Sequence, residues 1–384
     1  MSDTNTTSPD APRSAYVHVP FCRHHCGYCN FTVIAGRDDL AESMLAAIQL
    51  ELSGLDQPCP LDTLYIGGGT PTHLPIDWLT RLVESLRVHL PLQAGSEFTV
   101  EANPVDLQPE LVEQLVSLGV TRVSLGVQSF QADKLKLLER DHDAVLARRA
   151  MQLVQDAGLD LSIDLIFSVP GESLEDWHAD LKEATRGQPG HLSSYGLTVE
   201  QGTPLLARVR NGELQELDSE LQRQMYVLAI DELGSGGWEH YEVSSFARPD
   251  ARCRHNQTYW DGSSYLAFGP GASRFLDGRR ETNHRSVFTY LKRVQSGESP
   301  VMESERLSAE DAARERLVFG LRRMQGVESG QFQQQTGFSV EQLMGPLLDH
   351  YQELELVSFS QGQLQLTREG ILLSDSIWPQ LLRT

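Results

Sequence analysis

Five cysteines in 384 residues are too few, and odd in number, to staple a secreted domain. The chain therefore reads as a protein of a reducing compartment, held together by burial. Basic residues are also scarce, with 32 Lys and Arg against 53 Asp and Glu for a net charge of -21. That imbalance excludes a broad electrostatic footprint for DNA, RNA or an anionic membrane surface; small molecules and proteins, not nucleic acid, are the expected partners. No apolar run reaches the roughly 18 residues of a membrane-spanning helix. The first 14 residues are polar and lack both a basic and an apolar leader region, so a cytoplasmic location and a disordered tail over 1–14 are expected. Internal repeats and low-complexity tracts are missing as well.

What the chain does have is length for one large domain and a smaller one. From Tyr16 to about Glu200, short β-branched runs alternate with longer amphipathic stretches, the rhythm of βαβ units. Strands are predicted at Ala15–Val19, Leu61–Ile66, Glu97–Ala102, Arg122–Val127, Leu161–Phe167 and Ser193–Val199. Helices are predicted at Leu40–Leu52, Asp77–His89, Gln108–Leu118, Ala144–Ala157 and Leu174–Thr185, with Gly119 and Gly158 as C-terminal caps. Six parallel strands joined by right-handed crossovers curl into an open, partial (β/α)6 barrel whose site lies at the C-terminal strand ends. The fold class is α/β, with this barrel over 15–200.

After Gln201 the rhythm changes. A helix is predicted over Gln222–Leu233 and a strand over His240–Phe246, whereas Arg252–Phe275 is aromatic and glycine-rich without either period. The stretch 201–303 reads as an extension, and 304–384 as a mainly helical, winged-helix-like domain. Its helices fall at Ala309–Met324, Gln331–Thr336 and Val340–Leu354, and its hairpin turns at Gln361-Gly362. It carries no basic face for DNA.

The most informative run is Tyr16-Val-His-Val-Pro-Phe-Cys-Arg-His-His-Cys-Gly-Tyr-Cys-Asn-Phe31. Cys22, Cys26 and Cys29 stand at a spacing that suits a [4Fe–4S] cluster, and three thiolates leave one iron open to a further ligand. S-adenosylmethionine can chelate that iron and yield a 5'-deoxyadenosyl radical, chemistry that belongs to the cofactor. Zinc with His24 or His25 as a fourth ligand is the alternative, but both histidines sit inside the first spacer, where a tetrahedron is hard to close. Cys59 and Cys253 read as small partly buried hydrophobes, with Cys253 the more open to another role.

Gly67-Gly-Gly-Thr-Pro-Thr72 follows the second strand, where backbone amides and carbonyls can approach the amino group of S-adenosylmethionine. Polar residues end three further strands: Glu101, Gln128 and Asp164. An acidic residue inside the apolar run at Asp164 is costly unless it meets a ligand, such as a ribose hydroxyl or the sulfonium, or a salt bridge to Arg140 or Arg148.

These motifs, with Leu125-Gly-Val-Gln-Ser-Phe130 and Ile163-Asp-Leu-Ile-Phe-Ser-Val-Pro-Gly171, resemble the radical S-adenosylmethionine family that contains the oxygen-independent coproporphyrinogen III oxidases. The resemblance spans nearly the whole chain. It implies that Tyr16 and Tyr28 flank the cluster, and that Gly68, Gly69, Thr70, Glu101, Gln128, Arg140, Asp164 and Gly196 fall on positions that bind one or two S-adenosylmethionine molecules. Two departures point to the family's haem-chaperone branch: Phe31 replaces the extra cysteine of the decarboxylases, and the segment ahead of Cys22 is short. Tyr241-Glu-Val-Ser-Ser-Phe-Ala-Arg-Pro and His255-Asn-Gln-Thr-Tyr-Trp260 agree with that branch. The resemblance implies a carrier that binds haem and passes it to membrane or cytosolic apo-haemoproteins, with an electron donor as a further partner. His255 is then the candidate axial ligand, with Tyr259 and Trp260 as flat apolar faces and Cys253 as an alternative thiolate. The alternative activity is oxidative decarboxylation of coproporphyrinogen III to protoporphyrinogen IX.

Overall fold

Residues 11–383 are described in a computed structural model of the chain. The main strands are Ser14–Val19 (β1), Leu61–Gly68 (β2), Leu92–Ala102 (β3), Arg122–Gln128 (β4), Asp160–Phe167 (β5), His191–Gly196 (β6), Glu239–Glu242 (β7), Ser245–Ala247 (β8) and Leu266–Phe268 (β9). The principal helices are Ala41–Leu52 (α1), Ile76–His89 (α2), Pro109–Ser117 (α3), Ala144–Asp156 (α4), Leu174–Arg186 (α5), Ser219–Ser235 (α6), Arg254–Trp260 (α7) and Ala309–Arg322 (α8). This alternation is the mixed α/β architecture of the expected barrel. Local chemistry sets the element ends: Ser173 and Asp176 form a reciprocal capping box that starts α5, and Pro109 occupies the first turn of α3.

The chain divides into two compact units. One comprises the chain up to His25, Phe31–Val123 and Ser263–Arg306; the other comprises Cys26–Asn30, Ser124–Gly262 and Leu307 onward. In the first, the strand order is β9-β1-β2-β3. Here β1 pairs in parallel with β2 on one side and with β9 on the other, and β2 pairs in parallel with β3. Most of the tail expected over 1–14 lies outside the described residues, but the end of that stretch is tied in. Arg13 pairs with Asp62, its carbonyl accepts from the Asp62 amide at 2.7 Å, and Ser14 opens β1.

In the second unit the order is β4-β5-β6-β8-β7, with β5 and β6 parallel and β8 antiparallel to both its neighbours. The single strand expected over His240–Phe246 is thus two, folded back between Glu242 and Ser245. The helix expected over Val340–Leu354 is broken at Gly345, whose φ of 52° leaves the helical region just before Pro346. The 252–275 stretch, read as having no period, contains α7 and β9, both too short to announce themselves by pattern. Leu317, Leu321, Phe332, Leu343, Leu364 and Leu381 pack the core of the C-terminal region. Its hairpin, Val357–Ser360 with Gln363–Leu366, turns on Gln361 and Gly362, both at positive φ. No helix among the described residues is long and apolar enough to cross a membrane.

Candidate functional site

In the first unit, alternation along β1 places Tyr16 and His18 on one face. The Tyr16 hydroxyl lies 2.9 Å from His18 Nδ1, and His18 Nε2 lies 2.7 Å from the Thr32 carbonyl oxygen. A carbonyl only accepts, so Nε2 carries the proton and Nδ1 accepts from Tyr16. Burial lowers the His18 pKa to about 4, which keeps the ring neutral in this arrangement. His18 was not singled out in the sequence, although its two-residue offset from Tyr16 was the available signal.

The glycine run packs against the same strand. A Cβ on Gly68, at φ +107°, would fall 2.3 Å from the His18 ring, and one on Gly69 would fall 2.6 Å from the Phe21 carbonyl oxygen. The amides of this loop are committed: Gly68 N donates to Glu101 Oε2 at 2.8 Å, Gly69 N to the Val19 carbonyl and Thr70 N to the Phe21 carbonyl. An ammonium group needs acceptors, so the loop's chemistry toward an amino group resides in its carbonyls. The Tyr65 hydroxyl donates to the other Glu101 oxygen at 2.8 Å, and Gly67 has no side chain because the Glu101 carboxyl fills that space. Cys22 Sγ lies 3.7 Å from Thr70 Oγ1.

In the second unit, Cys29 N donates to the Cys26 carbonyl, closing a turn within the cysteine loop. Arg140 Nη1 lies 3.7 Å from Cys26 Sγ, while Nη2 donates to the Gly126 carbonyl of β4 at 2.9 Å. Burial pushes the Cys26 thiol pKa up, and the Arg140 cation opposes the shift. Burial likewise raises the phenol pKa of Tyr28, which packs against Leu138, Ile166 and Val169. Arg140 Nε is buried with no hydrogen-bond partner among the described residues. Soft thiol donors beside a cation with an unsatisfied buried N–H suit an anionic group held by thiolates. Among the described residues, no three His, Cys, Asp or Glu side chains converge as ligands of one metal ion. A cubane binds each thiolate at a different iron and does not need that convergence.

The exit of β4 is tightly gripped. Gln128 has φ +63°, a left-handed conformation that a non-glycine residue adopts at a cost. His142 Nε2 donates to the Val127 carbonyl at 2.9 Å; Asp180 accepts from Ser129 Oγ and from Phe130 N, each at 2.7 Å. Asp180 in turn binds Lys134 Nζ at 3.0 Å, and Lys134 also contacts Glu172. This buried trio lies under the Gln128 turn and was not legible as a site in the sequence. At the next strand, Asp164 accepts from Ser124 Oγ at 3.4 Å and is also bonded by Ser193. Burial lifts its pKa to about 6, more than these bonds and the Arg140 charge lower it. Arg148 pairs with Glu183 instead, so it is not the salt-bridge partner considered for Asp164. Gly196 ends β6 on an exposed stretch, opposite Phe167.

The His255-Asn-Gln-Thr-Tyr-Trp260 run forms α7, and the helix sorts it onto different faces. His255 is 1 % exposed, with Nε2 2.8 Å from the Tyr259 hydroxyl one turn on. Burial lowers its pKa to about 3, so the imidazole is neutral, the form that binds iron. Tyr259 is thus engaged with His255, while Trp260 faces a cavity of about 320 Å³ together with Tyr241, Arg252 and Arg323. Cys253 is buried just ahead of α7, its amide donating to the Tyr241 hydroxyl at 3.2 Å. Phe31 is 70 % exposed.

A cysteine loop, a glycine turn and acidic strand ends on an α/β sheet define a radical S-adenosylmethionine protein, and residues 16–184 match the Radical SAM superfamily. Residues 307–373 match the HemN C-terminal domain. Heme chaperone HemW of Lactococcus lactis is 33% identical over 372 residues, covering 97% of each chain. Heme chaperone HemW of Bacillus subtilis is 32% identical over 376 residues, covering 96% of this chain and 99% of that one. The solved Escherichia coli coproporphyrinogen III oxidase HemN, described as a radical SAM enzyme, superposes with a TM-score of 0.84. The match covers 97% of this chain and 90% of that one at 22% identity, a likeness of fold. The chain belongs to the HemW heme chaperone family within the radical SAM superfamily.

Proposed function

We propose that this chain is a haem carrier that binds haem and delivers it to apo-haemoproteins in the cytoplasm or at the membrane. The observation that carries the reading is the near-full-length similarity to proteins named heme chaperones. Phe31 in place of a further cysteine supports it against the decarboxylase alternative.

In this reading Cys22, Cys26 and Cys29 hold the [4Fe–4S] cluster, with Tyr16 and Tyr28 beside it. Gly68, Gly69, Thr70, Glu101, Gln128, Arg140, Asp164 and Gly196 serve S-adenosylmethionine. When bound, the two cofactors supply one-electron cleavage of a carbon–sulfur bond. The chain's own part is positional. Glu101 fixes the glycine loop through Gly68 N, Arg140 ties Cys26 of the cysteine loop to β4, and Gln128 holds a strained turn at the end of that strand. His255 would hold haem iron through its neutral imidazole, and at Nε2 this would require giving up the contact with Tyr259.

The test is to titrate the anaerobically reconstituted protein with haemin, offer the product to an apo-haemoprotein, and incubate a second sample with coproporphyrinogen, S-adenosylmethionine and a reductant. Haemin binding and transfer without protoporphyrinogen formation is expected. Sustained decarboxylation, or no haemin binding, overturns the proposal.

A further inference from the structure

We propose that the cavity beside α7 receives the carboxylate edge of the haem, with Arg316 and Arg323 recognising its propionates. The inference rests on the haem reading above and adds to it the place and chemistry of recognition.

The cavity is lined on one side by Trp260 and Tyr241, whose rings meet edge to face at 5.9 Å between centroids. Trp260, only partly buried, supplies an apolar plane of the kind that a flat macrocycle packs against, and Tyr241 backs it. Arg252 covers the outer face of Tyr241 at 5.4 Å, with its Nε on Glu239 at 3.0 Å. About 320 Å³ is space for an edge of a macrocycle with its substituents.

The charges decide which edge. Arg323, on the lining, is paired with Asp261. The other acid on the lining, Glu328, is spent on the amides of Gly330 and Gln331, where it caps a helix. Arg316 stands just outside the lining, two turns earlier on α8, against Gly262 and within electrostatic reach of both Asp261 and Arg323. Its guanidinium is half-buried and makes no hydrogen bond or ion pair among the described residues. Burial and the neighbouring Arg323 both act against its charge. Two guanidiniums therefore stand near a carboxylate that is paired with Arg323 alone, in a protein whose net charge is -21. A second carboxylate, brought by a ligand, relieves that imbalance, and guanidinium matches carboxylate in shape as well as charge.

The experiment compares haemin with haemin dimethyl ester, in which both propionate charges are removed, on the full-length, cluster-loaded protein. Wild type should bind haemin more tightly than the diester. Arg316→Gln should weaken haemin by about tenfold, the order of one charge-assisted contact, and leave the diester unchanged. Asp261→Asn, which releases Arg323 from its competitor, should tighten haemin and not the diester. Melting curves of the variants exclude misfolding, and the Arg316 guanidinium has no hydrogen bond among the described residues to lose. Haemin affinity unchanged in Arg316→Gln, or equal loss for both ligands, overturns the inference while the haem reading stands. Absence of haemin binding by wild type overturns the reading itself.

Discussion

Asp164→Asn should make the cofactor-free protein more stable while weakening its grip on S-adenosylmethionine. The wild-type carboxyl has an ordinary pKa of 3.8 and is lifted to about 6 in the folded chain by burial, against the opposing hydroxyls of Ser193 and Ser124. The folded state therefore holds this proton more tightly than the unfolded chain. Between pH 4 and 6 its contribution to stability falls as pH rises, and the full penalty applies above about 6. Raising the pKa from 3.8 to about 6 costs the ionised form about 3 kcal/mol at pH 8 and about half of that at pH 5. Asparagine keeps the hydrogen-bonding shape without the charge. Urea unfolding at both pH values measures the difference between variant and wild type, so histidines common to the two proteins cancel. The Asp164→Asn substitution should add about 2–3 kcal/mol at pH 8 and clearly less at pH 5. Equilibrium dialysis of the cluster-loaded forms should show weaker S-adenosylmethionine binding. Destabilisation by the same amount at both pH values would refute the reasoning, because it would make Asp164 a structural hydrogen-bonding residue and not a carboxylate held at a cost for a ligand.

Substituting Cys22, Cys26 or Cys29 with Ala should abolish the iron–sulfur absorbance, whereas Cys59→Ala should retain it, since Cys59 Sγ is engaged with the Pro12 carbonyl at 3.2 Å; iron and sulfide analysis decides. Lys134→Met strands Glu172 and Asp180 as buried acids and should cost about 3–5 kcal/mol in urea unfolding. An effect below about 1 kcal/mol would show that the trio is not a structural anchor. His18 and His255 are held neutral, with pKa values lowered to about 4 and about 3 by burial. The unfolded chain takes up their protons first, so their stabilisation is complete above about pH 6.5 and is lost as pH falls toward 4. His255→Phe should flatten that limb in a pH series of melting temperatures.

Much of the architecture was decided by local pattern, because a repeat of two or of three to four apolar residues is a property of contiguous chain. The strands at β1, β2 and β4, the helices α1, α2, α4 and α5 and the Gln361-Gly362 hairpin all fall within a residue or two of where periodicity and turn chemistry put them. The cysteine spacing and the acidic strand ends were legible for the same reason. What only the tertiary structure decided depends on residues far apart in the chain. Three residues at Leu266–Phe268 become a parallel neighbour of β1, and Glu51 gathers Gly269 N, Asn283 Nδ2 and the Tyr290 hydroxyl. Neither leaves a local signature. The same holds for Arg140 at Cys26, for the Lys134 trio under Gln128, and for α7, whose winding separates His255 and Tyr259 from Trp260 although the three are nearly consecutive in sequence. Sequence names the reactive groups; burial and long-range packing determine which are neutral, which are strained and which are left with a charge to satisfy.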